Sequence, residues 1–173
     1  TRHVSYSSGT PSLVLDTGIT VNANAGGDFW NVAAALTVNG SFNVNTADMV
    51  SMGVSSFNRG GASAFSVLAG TLRLNGATND YSGSWNVASG ATLDLNHTVA
   101  RTLGSGFIVT GTGRIANESS TLTINGMPNT TAGFAQLGSG TTTFNTAINM
   151  GSLEIAAGSV NGAVALNVAG SFN

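Results

Sequence analysis

Cysteine and lysine are absent from this chain, and proline and charge of either sign are scarce. Charged residues make up 7% of the 173 positions, where about 25% is usual for a globular domain. The lack of Cys excludes disulfide scaffolds, Cys-based zinc sites and thiol catalysis. A net charge of −2 gives no basic surface for nucleic acid, and no apolar run approaches the length of a membrane span. We therefore predict no nucleic-acid partner and no membrane insertion in this segment.

Apolar residues, glycine and small polar residues take the place of charge. Hydrophobic residues make up 42% of the chain, and 24 Gly stand against 2 Pro. Turns must then be formed by Gly and Asn, which tolerate positive φ. The length suits one core, so residues 1–173 are predicted to form a single domain. Because the chain opens at Thr1 without Met or a signal peptide, and stops within a repeat, we expect a fragment or processed unit with an uncapped C-terminal end.

Short apolar–polar–apolar triplets recur along the chain, as in Leu72-Arg73-Leu74 and Leu153-Glu154-Ile155. Such alternation turns the apolar side chains inward and the charge outward. Related triplets begin at uneven spacing, at Leu36, Leu72, Leu93, Leu122, Leu153 and Leu166. The prediction is an all-β fold, a right-handed parallel β-helix (β-solenoid) with irregular rungs of about 20–30 residues. The longest and shortest spacings then require an inserted loop or a second, similar face.

Two longer repeats support this fold. Residues 36–43 read L-T-V-N-G-S-F-N and residues 166–173 read L-N-V-A-G-S-F-N, with six of eight positions identical. The block W-N-V-A occurs at residues 30–33 and again at residues 85–88. Repeated strand-and-turn units are typical of solenoids, in which each unit buries its apolar side by stacking on the next.

Four asparagines, Asn39, Asn75, Asn96 and Asn125, each follow a triplet directly. If the triplets stack in register, these side chains can form a ladder of amide hydrogen bonds along the rod. They would also supply left-handed backbone at sharp corners. The alternative is an ordinary Asn-Gly hairpin turn between antiparallel strands.

Three aromatic residues, Trp30, Trp85 and Tyr81, are candidates for exposed contacts, as in a sugar-stacking surface. The alternative is that these rings fill the core where the coils widen. The sequence leaves both interpretations open.

No constellation of residues indicates catalysis. His3 and His97 have no metal-type spacing, and we expect His97 to lie at a surface corner. The seven acidic residues fall in seven different segments, whereas polysaccharide lyases and hydrolases need paired acids or an acid cluster with a base. The prediction is a protein without catalytic residues, metal or cofactor.

Threonine pairs at 110 and 112, 121 and 123, and 141 and 143 place two hydroxyls on one face of a strand. Regular arrays of this kind order water in ice-binding solenoids. We expect the charges of Arg73 and Asp94 to interrupt the array, which makes ice binding a minor alternative.

Residues 70–96 read G-T-L-R-L-N-G-A-T-N-D-Y-S-G-S-W-N-V-A-S-G-A-T-L-D-L-N. This segment resembles the autotransporter-associated β-strand repeat. The matching positions are Gly70, Leu72, Leu74, Gly76, Asn79, Tyr81, Gly83, Val87, Gly90, Leu93 and Leu95. The resemblance implies a right-handed parallel β-helical passenger of a large Gram-negative surface protein, with no catalytic motif.

These observations together predict a non-enzymatic structural protein, secreted or held at the bacterial cell surface. The first hypothesis is a stalk or passenger segment of an adhesin, with further repeats of the same chain as its partners and a host surface or glycans as possible ligands. The alternative is the subunit of an extracellular filament, in which identical subunits stack end to end. An ice-binding or glycan-binding β-helix is a less favoured third hypothesis.

Overall fold

The computed structural model describes residues 12–61, 63–76, 78–79, 81–97, 99–118 and 121–173, and for residues 30–33 and 78–79 it describes the backbone only. These residues form eighteen β-strands and no helix. The strands are β1 (Ser12–Leu15), β2 (Thr20–Ala23), β3 (Gly27–Val38), β4 (Ser41–Arg59), β5 (Ala64–Leu74), β6 (Thr78–Asn79), β7 (Gly83–Val87), β8 (Thr92–Asp94), β9 (Arg101–Leu103), β10 (Phe107–Thr110), β11 (Arg114–Asn117), β12 (Leu122–Ile124), β13 (Gly133–Gln136), β14 (Thr141–Phe144), β15 (Ile148–Met150), β16 (Leu153–Ile155), β17 (Ser159–Asn161) and β18 (Leu166–Val168).

Successive coils of the chain pair as parallel strands and stack into a β-solenoid of about 7 turns. Leu13 pairs with Leu36 near the start of the stack, and Leu72 pairs with Leu93 in its middle. In the second half Phe134 pairs with Leu153. These partners are 23, 21 and 19 residues apart, so the coils shorten along the chain and the last of them falls just below the predicted range.

Each coil has three faces, which we number by their sequence segments. The first face stacks 50–52, 71–74, 92–95, 114–117, 133–136 and 153–155. The second face stacks 12–15, 35–38, 56–59 and 78–79, and then 101–103, 122–124, 141–144 and 159–161. The third face stacks 20–23, 41–44, 64–67, 85–87 and 107–110, and then 148–150 and 166–168.

The inward positions of all three faces form one apolar core that runs along the rod. Leu72 and Leu93 on the first face, Leu36 and Leu122 on the second and Phe42 on the third have no exposed surface. Backbone hydrogen bonds between coils satisfy the polar groups of strands that are buried on their inner side. The predicted inward alternation is therefore confirmed.

The three faces account for the irregular spacing of the triplets. Leu72, Leu93 and Leu153 belong to the first face, whereas Leu36 and Leu122 belong to the second. The expected second, similar face is thus present. The longer repeats also fall on different faces, since Trp30 pairs with Met52 on the first face, and Trp85 pairs with Phe65 on the third.

The corners are formed by bulges and by glycine. β3 and β4 continue around corners, with register shifts between Asp28 and Trp30 and between Val44 and Asn45, and such bulges bend a strand. Among the described residues every positive φ belongs to glycine. The expectation that Asn39, Asn75, Asn96 and Asn125 supply left-handed corners is therefore wrong. The hairpin alternative is also wrong, because every strand pair formed by the described residues is parallel.

Two glycines with positive φ differ in the space around them, which gives a test of the corner geometry. A Cβ at Gly70 (φ 62°) would lie against the carbonyl oxygens of Thr46 and Asp48, whereas Gly90 (φ 78°) has nothing within 4 Å of that position. We expect Gly90→Ala to cost about 1 kcal/mol from backbone strain. Gly70→Ala should cost several times more, because the coil below it must also move. Urea unfolding of the two variants measures the difference, and equal losses would contradict the stacking at this corner.

Candidate functional site

Charged side chains gather on the outer side of the first face. Arg73 and Asp94 are register partners on neighbouring coils, and Arg73 Nε donates to Asp94 Oδ2 at 2.6 Å. Arg73 Nη2 donates to Glu118, one coil further along. The structure thus brings together two acids that lie in different segments of the sequence, with an arginine between them.

Asp94 is buried although it points outward, since its side chain is 1% exposed. Its Oδ1 is buried without a hydrogen-bond partner among the described residues. Burial raises the pKa of Asp94 from 3.8 to about 6, while the hydrogen bond and the charge of Arg73 act in the opposite direction. Burial disfavours the charged form of a carboxyl group, and here it outweighs the ion pair.

A second ion pair extends this charged strip along the rod. Arg114 Nη1 donates to Glu154 Oε2 at 3.0 Å, which spans two coils of the first face. Ala116 and Ala135 occupy the outward positions between these side chains, and neither has any exposed surface. Small residues here leave room for the arginine stems to lie flat on the sheet.

The charged strip contains the residue types of a polysaccharide-cleaving site, but a substrate cannot reach its acids. Catalytic acids must reach a substrate directly, whereas Asp94 is covered and both Asp94 and Glu118 are held by Arg73. Within the described residues no group of three or more His, Cys, Asp or Glu side chains could hold a metal ion. The strip therefore serves best to join neighbouring coils along the rod.

Aromatic rings fill the middle of the core. Trp85 has no exposed surface and Tyr81 is 5% exposed, so the interpretation of these two as exposed contacts is wrong. Trp85 Nε1 donates to the carbonyl oxygen of Tyr81 at 2.8 Å, which satisfies the indole buried in the core. The side chain of Trp30 lies outside the described residues. The rings of Phe65 and Trp85, centred 4.7 Å apart, continue a file that runs through Phe29 and Phe42.

Arg59 closes the corner beside these rings. Its guanidinium carbon lies 4.6 Å from the ring centres of both Phe65 and Trp85. The guanidinium donates to three carbonyl oxygens, those of Ser63 at 3.0 Å, Ser82 at 2.6 Å and Ser84 at 3.1 Å. Gly83 leaves room for it, because a Cβ there would meet Arg59 Nη1 at 2.9 Å. Nothing in the sequence indicates this role, since Arg59 stands alone among uncharged residues.

The four predicted asparagines lie at corners but do not form one ladder. Asn125 Oδ1 accepts from Asn145 Nδ2 on the next coil at 2.8 Å, so one step of a ladder is present there. Asn75 Nδ2 donates instead to Ser51 Oγ at 2.8 Å. Asn39 packs beneath Gly60 of the next coil, and Asn96 is half-buried after the first face. Asn75 and Asn96 follow strands of the first face, and Asn39 and Asn125 follow strands of the second face, so the four cannot form a single ladder.

Two further amide pairs occur in the middle of strands on the third face. Asn43 Nδ2 donates to Asn22 Oδ1 at 2.9 Å, and Asn167 Nδ2 donates to Asn149 Oδ1 at 2.8 Å. The triplet pattern misses them, because these asparagines lie within strands and not after them. Their signal is an asparagine between two apolar residues, as in Val-Asn-Ala at 21–23 and Leu-Asn-Val at 166–168.

Polar side chains also occur inside the corner between the first and second faces. Asn117, Gln136 and Thr142 are fully buried. Asn117 Nδ2 donates to Gln136 Oε1 and to Thr142 Oγ1, both at 3.0 Å. His97 is fully buried as well, so the expectation of a surface corner is wrong. Burial lowers the pKa of His97, and its Nδ1 lies 2.7 Å from the carbonyl oxygen of Val99.

A groove crosses the third face where the coil between β12 and β13 lacks a strand. Its walls include Thr110, Asn129, Thr131 and Asn149, with Met150 at its base. Thr131 Oγ1 donates to the carbonyl oxygen of Gly111 at 2.7 Å, and Asn129 Oδ1 accepts from the backbone of Asn149 at 2.8 Å. These polar groups are thus used to close the gap in the sheet.

The threonines of the second face are separated from the charges. Thr102, Thr123 and Thr143 are register partners on three successive coils, while Arg73 and Asp94 lie on the first face. The expectation that these charges interrupt the hydroxyl array is therefore wrong.

Comparisons of the chain with protein-family models, curated proteins and solved structures find no match. In the described parts of the chain there is no helix with the length and apolar character needed to cross a membrane.

The raised pKa of Asp94 predicts a pH-dependent stability. A carboxyl whose pKa is higher in the folded state stabilises the fold most below about pH 4, and this contribution is lost as the pH rises through about 6. The change amounts to about 3 kcal/mol at most. We expect Asp94→Asn to remove this part of the slope between pH 4 and 7 in urea unfolding. Arg73→Gln should move the slope to higher pH, because Arg73 holds this pKa down; slopes identical to the wild type in both variants would contradict the assignment.

Replacement of Arg59 tests whether its guanidinium stabilises the corner beside Phe65 and Trp85. We expect Arg59→Lys to lower the free energy of unfolding by about 1–3 kcal/mol, because an ammonium cannot make the same set of bonds to three carbonyl oxygens. The matched control is Arg114→Lys, at a half-exposed pair, where a loss below about 1 kcal/mol is expected. Denaturant midpoints of both variants give the comparison. An Arg59→Lys loss no larger than the control would show that the corner does not depend on the guanidinium.

Proposed function

We propose that this chain is a non-enzymatic, extracellular structural segment, the β-solenoid stalk of a bacterial surface adhesin. The observation that carries the proposal is the stack of parallel coils, from the pair of Leu13 with Leu36 to the pair of Leu153 with Phe172. About 7 turns at ~4.8 Å each extend the rod by roughly 34 Å. A solenoid of this kind holds its two ends at a set distance from each other.

The placement of the charged residues supports a mechanical function. Arg73 joins Asp94 and Glu118, and Arg114 joins Glu154, so these charges connect coils rather than surround a cleft. Arg59 joins its own corner to the next coil at Ser82 and Ser84. Links of this type between coils resist their separation along the rod, and a stalk requires this resistance.

The segment that resembles the autotransporter-associated repeat supports the assignment to a surface passenger. Leu72 and Leu93 both lie within residues 70–96 and pair with each other one coil apart. The segment thus corresponds to one complete turn of the rod plus the following strand. This agreement between repeat length and coil length is what a passenger built from such repeats requires.

A filament subunit, in which identical subunits stack end to end, is the second candidate. Phe172 is 67% exposed, and the core residues Leu166 and Val168 are only partly buried there. A further coil, from whatever source, would bury them. The two candidates differ in the source of that coil.

Electron microscopy of the native material, with immunogold labelling of intact cells, tests both proposals. For the stalk we expect label outside the cell on single thin projections. Fibres with an axial repeat of roughly 34 Å would instead support the filament. Label confined to the cell interior would contradict both.

A further inference from the structure

The outer side of the second face carries a regular array of hydroxyl groups. Thr102, Thr123 and Thr143 are register partners on three successive coils. A second column lies beside them, in which Thr141 pairs with Ser159. Neighbouring coils are ~4.8 Å apart, and alternate residues of one strand are ~6.6 Å apart. The hydroxyls therefore form a grid, two columns wide, with a fixed repeat both along the rod and across it.

The hydroxyls of this grid are held in position, but most of them are not used within the protein. Thr141 Oγ1 lies 2.9 Å from Ser159 Oγ on the next coil, within hydrogen-bond distance. The hydroxyls of Thr102, Thr123 and Thr143 make no hydrogen bond to any other described residue. Because a threonine in a strand is restricted at χ1, these groups lose little conformational freedom when they bind an external partner.

Charge and aromatic rings are missing from the outward positions of this face, as far as the structure describes them. Arg101 shares a strand with Thr102 but takes an inward position, as the partner of the buried Leu122. Its Nη2 donates to the carbonyl oxygen of Gly76 at 3.1 Å. Two earlier coils also have small, uncharged residues at the outward positions: Ala35, Thr37, Ser56 and Asn58. Such a face suits neither a charged ligand nor a sugar that stacks on an aromatic ring.

From this grid we propose that the second face binds the surface of ice. Ice presents an uncharged lattice of water oxygens that donate and accept hydrogen bonds, and a threonine hydroxyl does the same. One such bond adds little affinity, but hydroxyls at fixed spacing engage the lattice together. The face runs along the side of the rod and is therefore accessible in a rod of any length. Ice binding adds a ligand to the structural role proposed above, and neither depends on the other.

Thermal hysteresis of the 173-residue chain tests the proposal, as the gap between the melting temperature of a seed crystal and the temperature at which it grows. The wild type should open such a gap and shape the crystal into facets. Thr123→Lys places a protruding charged side chain at the centre of the grid. At equal concentration it should reduce the gap about tenfold, because it also lifts the neighbouring hydroxyls from the lattice.

The matched control is Ser66→Lys, which places the same side chain at a partly exposed position of the third face and should leave the gap unchanged. Circular dichroism of each variant separates loss of binding from loss of fold, and Thr143→Lys takes the place of Thr123→Lys if that variant does not fold. A wild type without hysteresis, or equal losses in the grid variant and the control, would overturn ice binding by this face.

A solid polysaccharide is the other uncharged partner with a regular array of hydroxyls. Sedimentation of the wild type with crystalline cellulose or chitin, lost in Thr123→Lys and kept in Ser66→Lys, would assign the grid to that partner and overturn ice as its ligand. Wild-type protein that stays in the supernatant but shows hysteresis would support ice. Either result leaves the proposed stalk to its own test, the microscopy of labelled cells.

Discussion

Parallel pairing of each coil with the next, in a register that keeps apolar side chains inward, is the constraint on which the rest of this structure depends. A shift by one residue would turn Leu93 outward and Asp94 into the core. The pairing of Leu72 with Leu93 and of Leu93 with Ile115 fixes that register on the first face. The corners, the ion pairs and the amide ladders all depend on it, because each joins residues that only this stacking brings together.

The three faces carry different outer chemistry although they share one core. The first face has the ion pairs of Arg73 and Arg114, and the second has hydroxyls at Thr123 and Thr143. The third has the amide ladders that end at Asn22 and Asn167. Since outward residues of one face recur only once per coil, a chain with few charges can still concentrate them on one side.

The sequence was sufficient to predict the fold class but not to assign each strand to one of the three faces. Alternation in Leu72-Arg73-Leu74 indicates a strand with its charge outward, and that is how the strand lies. Nothing in a single triplet tells which face it joins, so Leu36 and Leu72 look equivalent although they are not stacked. The burial of His97 also escaped the sequence, because it sits among polar neighbours and its inward direction depends on the register of the coil. The sequence could not show that Asp94 and Glu118 both bind Arg73, since this contact depends on the length of the coil that sets Ile115 over Leu93.

The arginines of this rod bear on its resistance to proteolysis. Trypsin-like proteases cleave only after arginine or lysine, and this chain has five of the former and none of the latter. Arg59, Arg73, Arg101 and Arg114 each donate to carbonyl or carboxylate oxygens of a neighbouring part of the stack. A protease must instead draw the arginine into its own specificity pocket and the adjoining backbone into its cleft as an extended segment. In the described part of the chain, the four arginines that hold the coils together are thus withheld from such an enzyme.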